Sequence, residues 1–508
     1  MSIRTIASLT SIRFVGLIVG VGYSIVNVHC FGTSREADVY VSVTLLFSSV
    51  LSLSQSGQLA EIFLPEFHRL TTEHNRETAI AAFNVVLTWL MIPVLLLSFL
   101  AIGFAVPLVG FFCSGYEPSA QVLAVAVFRV CCLFIGLEIS GALIKTVLNA
   151  ESVFGRPEST ALIVDLTGIV ILSTTSARLG IWSLVLVFSL GKLLSMAVYL
   201  RALYTIRIRI RPRWSVDGFD HLRFFRTMFS TVSYALCTQF YSLTIQMLLT
   251  KMPGGTAAIY GYTTRLHTRL RGVFVQPVLT VFFTDFSKAV RGESDAAESM
   301  SKAVNLVVGG LGFVALLTAV FANDLLSVIW GSEKFRPTDV EFASEVVAVN
   351  SLALVVTSVG GVFRKVAVSN GRGKAVFLLA AVCQLVSSAF IFSLSSMLGR
   401  DALKWFLFQN VCLLSFASWL VAFIADRRSS TAVDWKTVIR LLSILAVVLI
   451  SAWWIHAAIV MPDGRLGAAC MVAGVCLALT CTYVVMLYAV NVPGFRLSAA
   501  RLFKRLQA

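Results

Sequence analysis

Long apolar runs, separated by short polar stretches rich in arginine, recur from one end of the chain to the other. A helix that crosses a bilayer needs roughly 17–25 mostly apolar residues. Runs of that kind predict helices near 8–31, 39–64, 79–112, 119–149, 159–177, 181–204, 224–250, 255–286, 300–330, 339–369, 374–398, 402–425, 437–460 and 466–490. They number about fourteen, and those near 8–31 and 255–286 are the least apolar. The runs are too long for membrane-barrel strands, whose signature is alternation over segments of about ten residues. The fold class expected is an all-α polytopic membrane protein. Its longest connection is the basic stretch Arg207-Ile208-Arg209-Ile210-Arg211-Pro212-Arg213-Trp214, after the sixth run. That stretch divides the chain into an N-lobe of helices 1–6 (1–205), a basic linker (206–223) and a C-lobe of helices 7–12 (224–425). Helices 13–14 and a basic tail follow (426–508).

Of the 508 residues, 57% are hydrophobic and 13% charged, whereas soluble domains carry about 25% charged residues. So much apolar surface exceeds what one globular core hides, which leaves lipid as the solvent. A net charge of +15 would suggest nucleic acid in a soluble protein. Its placement gives another reading. With the N-terminus inside, about 24 Lys and Arg fall in cytoplasmic segments and about 8 on the other side. The bias predicts a multi-pass membrane protein with both termini cytoplasmic and no nucleic-acid partner. The Arg/Ile alternation of the linker suits anionic phospholipids at the cytoplasmic face, or a plain positive-inside anchor between the lobes.

Enzymatic chemistry finds little support. Cysteines such as Cys131, Cys237, Cys383 and Cys476 lie inside apolar runs, and no CxxC pair or Cys/His cluster has metal-ligand spacing. There is no GxxxxGK[ST], no HExxH and no nucleophile elbow. A transporter without metal, cofactor or catalytic residue is expected.

Charges inside the predicted spans are the functional candidates, because an ionisable group in lipid is costly unless it faces protein or water. The eighth span reads Tyr262-Thr263-Thr264-Arg265-Leu266-His267-Thr268-Arg269-Leu270-Arg271-Gly272. Arg265 and Arg269 are four apart and share a face. Arg265 lies roughly 15 Å from the helix start, near mid-bilayer. Two guanidiniums at that depth suit a diphosphate, since each donates paired N–H groups to phosphate oxygens. The alternative is an arginine neutralised by a carboxylate such as Asp165 or Glu138. In the first span Arg13 is followed by Gly16, Gly20 and Gly22, which could hinge the helix or simply pack it closely. Arg129, Lys145 and Lys192 are further intramembrane bases. Asp165 and Glu138, with Glu61, Asp324 and Glu345, are candidates for ion coupling or internal salt-bridge partners.

Three segments carry a resemblance. Phe31-Gly32-Thr33-Ser34-Arg35-Glu36-Ala37-Asp38-Val39-Tyr40 resembles the FGxxxxxDAF segment of the MurJ/MviN family, lipid II flippases of the multidrug/oligosaccharidyl-lipid/polysaccharide exporter superfamily. The spacing continues without a gap to Gly57 and Phe63-Leu64-Pro65. Tyr262-Thr263-Thr264-Arg265-Leu266 is similar to the family's Y-A-x-R-L, with Gly272-Val273 and Ser287-Lys288 in register. Ser11-Ile12-Arg13-Phe14-Val15-Gly16 is similar to its S-R-x-L-G. The resemblance implies two six-helix lobes around a cationic central cavity, with a groove for the polyprenyl tail in the last two helices. It also makes Arg13 and Arg265 diphosphate or headgroup ligands.

The departures concern those ligands. The family's second-helix arginine pair falls on Leu51-Ser52 and its following glutamate on Ser56, while its second first-helix arginine falls on Val19 or Tyr23. Arg129, Arg269 and Arg271 are a candidate replacement set. The function expected is alternating-access flipping of an undecaprenyl-diphosphate-linked saccharide, either lipid II or an exopolysaccharide or O-antigen unit. Envelope glycan synthesis proteins would be partners. The rival readings are a multidrug exporter of the same superfamily, an intramembrane glycosyltransferase and a non-transporting envelope-assembly scaffold.

Overall fold

A computed structural model describes residues 3–490, apart from 54–55, 152, 230–231, 276–295, 370–372, 394–398, 426–433, 459–461 and 463. The first unit comprises Met1–Gly261 with Ser388–Gly399, and the second Tyr262–Ser387 with Arg400–Ala508. In chain order the helices are α1 (Ile3–Phe31), α2 (Arg35–Leu53), α3 (Ser56–Glu73), α4 (Arg76–Gly103), α5 (Ala105–Phe112), α6 (Pro118–Cys132) and α7 (Ile135–Ala150). Then come α8 (Gly155–Leu179), α9 (Ile181–Thr205), α10 (His221–Phe229), α11 (Val232–Lys251), α12 (Thr256–Leu270) and α13 (Ala296–Leu306). The rest are α14 (Gly312–Val320), α15 (Ala322–Trp330), α16 (Pro337–Ser369), α17 (Gly373–Ser393), α18 (Arg400–Ala425), α19 (Trp435–Ala458) and α20 (Arg465–Ala489). Each predicted interval falls mainly on helix; the stretch 276–286 lies outside the described residues.

Among the described residues eight helices are long and apolar enough to cross a membrane, and α6 with α7 forms a ninth candidate bent by 41°. Side chains that a soluble protein would hide stand outward, including Phe99, Trp453, Trp454 and Val485, each more than 60% exposed in the absence of lipid. A bilayer is the solvent that makes such a surface stable. The chain is a multi-pass membrane protein.

In the first unit α1 packs along α8, and α8 along α9. Close approach is possible because Gly168 has no side chain: a Cβ there would lie 2.7 Å from the Tyr23 ring. The linker after α9 is not helical but is held along α4. The Asn84 amide donates to the Arg209 carbonyl and accepts from the Arg211 N–H, at 3.2 and 3.1 Å. Thr88 Oγ1 accepts from the Arg213 N–H, and Trp89 Nε1 donates to the Trp214 carbonyl. Ile208 is buried while Arg207, Arg209, Arg211 and Arg213 are exposed, so the backbone is tied down and the arginines face outward.

The second unit has its core where α13, α14 and the turn between them meet α19 and α20, with Val304, Val307, Leu311, Leu441, Val448 and Tyr483 buried together. Residues Val307–Leu311 form a π turn. The Tyr483 hydroxyl donates to the Gly309 carbonyl at 2.8 Å, and its ring stacks on Phe313. Asp434 caps α19 by accepting from the Thr437 hydroxyl at 2.6 Å and from the Thr437 N–H at 3.3 Å.

Candidate functional site

Three charged side chains from three helices of the first unit converge. Arg13 of α1 donates through Nε to Glu158 Oε2 at 3.2 Å, and Lys145 Nζ of α7 lies 3.3 Å from Glu158 Oε1. Glu158 sits in the first turn of α8, where a carboxylate also complements the helix dipole. Side-chain exposures of 30% for Arg13, 38% for Lys145 and 22% for Glu158 leave the group reachable. Two cations around one carboxylate give the trio one net positive charge. Among the described residues Arg13 hydrogen-bonds only through Nε, so the Nη1/Nη2 edge, the fork that matches phosphate, is open.

The other predicted residues of this unit are placed differently. Arg129 is exposed on α6 and makes no ion pair among the described residues. Glu138 pairs with Lys192 at 2.6 Å, and that ammonium also lies 5.3 Å from the centre of the Phe188 ring. Asp165 is buried in the middle of α8. The glycines of α1 do not interrupt it. A Cβ at Gly16 would meet open space, one at Gly22 would lie an ordinary 3.7 Å from Ile169, and Gly20 is buried.

In the second unit Arg265 and Arg269 are half-buried on α12, and Arg271 opens the π turn Arg271–Val275 that follows. Arg364 of α16 and His267 lie within electrostatic reach of Arg271. Among the described residues neither Arg271 nor Arg364 pairs with a carboxylate. Asp324 and Glu345 take His456 and Lys404 instead. Glu61, Ser287 and Lys288 belong to positions whose side chains lie outside the description.

Two residues acquire roles that sequence reading did not give them. Glu158 was not singled out, because an acid just after Arg156-Pro157 reads as an ordinary helix-start residue. Asp38, quoted above only as part of a motif, is 2% exposed and accepts from the N–H groups of Gly255 at 2.7 Å and Ala258 at 2.8 Å. It therefore caps α12, the helix that later carries Arg265. Gly255 has φ +87°, a conformation suited to glycine, and its missing side chain lets Thr33 approach. Around this cap, the Tyr116 hydroxyl donates to the Asp38 carbonyl at 3.0 Å and shares a 2.7 Å hydrogen bond with Ser42. Arg35 lies 4.5 Å over the Tyr116 ring.

Apolar helical spans with basic residues among them define a polytopic helical membrane fold, and solved structures share it. A structure titled lipid II flippase MurJ, inward closed conformation, superposes with a TM-score of 0.78 at 15% identity, covering 95% of this chain and 99% of that one. An inward-facing multidrug resistance MATE family transporter of the MOP superfamily superposes with a TM-score of 0.60 at 14% identity, over 85% and 96%. The profile of the lipid II flippase MurJ family matches residues 27–473, and the chain belongs to that family. Among curated relatives, a probable lipid II flippase MurJ of Borreliella burgdorferi is 23% identical over 371 residues, 71% of each chain. That of Buchnera aphidicola is 20% identical over 435 residues, covering 84% of this chain and 83% of its own.

Proposed function

We propose that this chain flips an undecaprenyl-diphosphate-linked saccharide of the lipid II class from the cytoplasmic to the outer leaflet, by alternating access and without catalysing a reaction. The observation that carries the reading is the family match across residues 27–473. The guanidinium edge left open at Arg13 supports a diphosphate ligand. Arg13, Arg265 and Arg269 are the proposed headgroup ligands, with Arg129 as an exposed auxiliary base. Since the chain lacks arginines at Leu51 and Ser52, the sugar recognised belongs either to lipid II or to another surface-polysaccharide precursor on the same carrier.

The Lys/Arg bias supports an orientation with both termini in the cytoplasm. On that orientation the arginines of the strap held along α4 face the inner leaflet, where anionic phospholipids are the fitting partner. A multidrug exporter of cations is disfavoured, because the ionisable residues of the second unit around Arg271 and Arg364 are basic, whereas cationic drugs favour acidic partners.

The test uses proteoliposomes loaded with fluorescent lipid II or with a fluorescent undecaprenyl-diphosphate-linked exopolysaccharide unit. Wild-type chain is expected to equilibrate one of them across the bilayer, and Arg13→Ala to slow that by about tenfold or more. Absence of flipping for both lipids would rule the reading out. Equal rates in wild type and Arg13→Ala would remove Arg13 from the headgroup site.

A further inference from the structure

Ordinary salt bridges match one carboxylate to one base, but here a single carboxylate serves two bases from different helices. Glu158 holds Arg13 on one oxygen and Lys145 on the other, at 3.2 and 3.3 Å. Without it the guanidinium and the ammonium would repel each other. With it they stay together, partly open to their surroundings, and carry one positive charge beyond what the carboxylate neutralises. The phosphate-gripping edge of Arg13 makes no hydrogen bond among the described residues, so the arrangement is poised for an anion stronger than the one it contains.

We propose that Glu158 is a built-in counter-anion that the diphosphate of the cargo displaces, and that Lys145 is a phosphate ligand beside Arg13. The proposal rests on the cargo being a diphosphate-linked lipid. A doubly charged diphosphate satisfies both bases at once, while the Glu158 carboxylate moves aside and returns when the headgroup leaves. Binding strength is then a difference between two anions competing for the same cations. The apparent affinity is reduced by the fraction of time Glu158 occupies them. This suits a transporter, which must let go of what it grips. It also supplies a second cation from α7 in a chain without the arginine pair of the second helix.

The counter-anion role has an unusual sign: removing an ion-pair partner should tighten binding. The experiment measures farnesyl diphosphate binding to the full chain in nanodiscs of zwitterionic lipid, by calorimetry. Glu158→Gln is expected to bind about tenfold tighter than wild type, and Lys145→Met about tenfold weaker. The double variant should return close to the wild-type value, since one base and one competing acid have been removed together. A purely structural bridge predicts instead that Glu158→Gln binds no tighter than wild type; that result in a folded, monodisperse variant overturns the proposal. If Glu158→Gln fails to fold, Glu158→Asp, whose shorter carboxylate bridges both bases less well, must bind tighter than wild type, and equal or weaker binding counts against the idea in the same way. Flipping of fluorescent lipid-linked saccharide is measured alongside. Flipping by wild type with unchanged affinity in Glu158→Gln sinks the counter-anion and leaves the flippase. The expected order of affinities without any flipping sinks the flippase reading and leaves the counter-anion.

Discussion

In the first unit Arg13 and Lys145 share Glu158, Arg76 takes Glu151 and Lys192 takes Glu138. In the second, Arg271 and Arg364 lie within reach of each other, and among the described residues neither pairs with a carboxylate. Partnered bases are at rest without a ligand. Like charges brought close are not, and an anion between them lowers their energy. The bases named in the first unit are thus offset by carboxylates, with Arg13 bonded only through Nε among the described residues, while Arg271 and Arg364 lie within electrostatic reach of each other without one. Ligand-free stability and ligand affinity should therefore respond in opposite directions when bases are removed from the two units.

The largest effect is expected when the shared pair is abolished. Arg13→Met with Lys145→Met should lower flipping of a fluorescent lipid-linked saccharide on the order of 100-fold, since two charge-assisted contacts are lost. Rates within a few-fold of wild type would place the headgroup elsewhere. Next comes Arg364→Met, which should weaken farnesyl diphosphate binding about tenfold and yet raise the ligand-free unfolding temperature as the repulsion with Arg271 is relieved. Thermal unfolding with and without the ligand reads both. A loss of stability in the ligand-free state would contradict the contrast between the units.

Smaller effects sharpen it. Glu138→Gln leaves Lys192 without its partner and is expected to cost about 1 kcal/mol in thermal unfolding, with flipping changed less than about threefold. A collapse of transport would make Glu138 part of the site. The smallest change is at Asp434, which stands outside the spans. Hydrogen bonds from the Thr437 hydroxyl and backbone hold its carboxyl below the usual carboxylate range. The stabilising effect is then complete above the ordinary carboxylate pKa and fades as pH falls through the lowered one. Asp434→Ala should cost about 1 kcal/mol near neutrality, and the gap between variant and wild type should close in acid. A pH-independent gap would mean the cap works without its charge.

The helices were legible because lipid imposes a length on every apolar run, so spans such as 159–177 and 181–204 correspond to α8 and α9 with shifts of a few residues. The break between α6 and α7 was not, because Leu133-Phe134 continues the apolar pattern with neither proline nor glycine. The π turn at Val307–Leu311 was hidden although it holds Gly309 and Gly310, since glycines inside an apolar run mark close packing as readily as a change of helix type. Its stabilisation comes partly from Tyr483, far along the chain. In the candidate site, Arg13 stood out as a charge in an apolar run. Its partner did not: Glu158 is 145 residues away, and only helix packing brings the two together. Lys145 was visible as a base but not as a member of a pair, since spacing along one helix says nothing about what a second helix presents.

Asp38 belongs to the Phe31–Tyr40 segment that resembles the family motif, and its carboxylate is spent on two backbone N–H groups at the start of α12. That signature therefore reports how a joint between helices is made, not what passes through the membrane. A descendant could exchange one glycan for another, or stop carrying any, while leaving Asp38 and Gly255 untouched. On the proposed reading, cargo preference lies instead with bases such as Arg13, whose guanidinium is bonded only through Nε among the described residues.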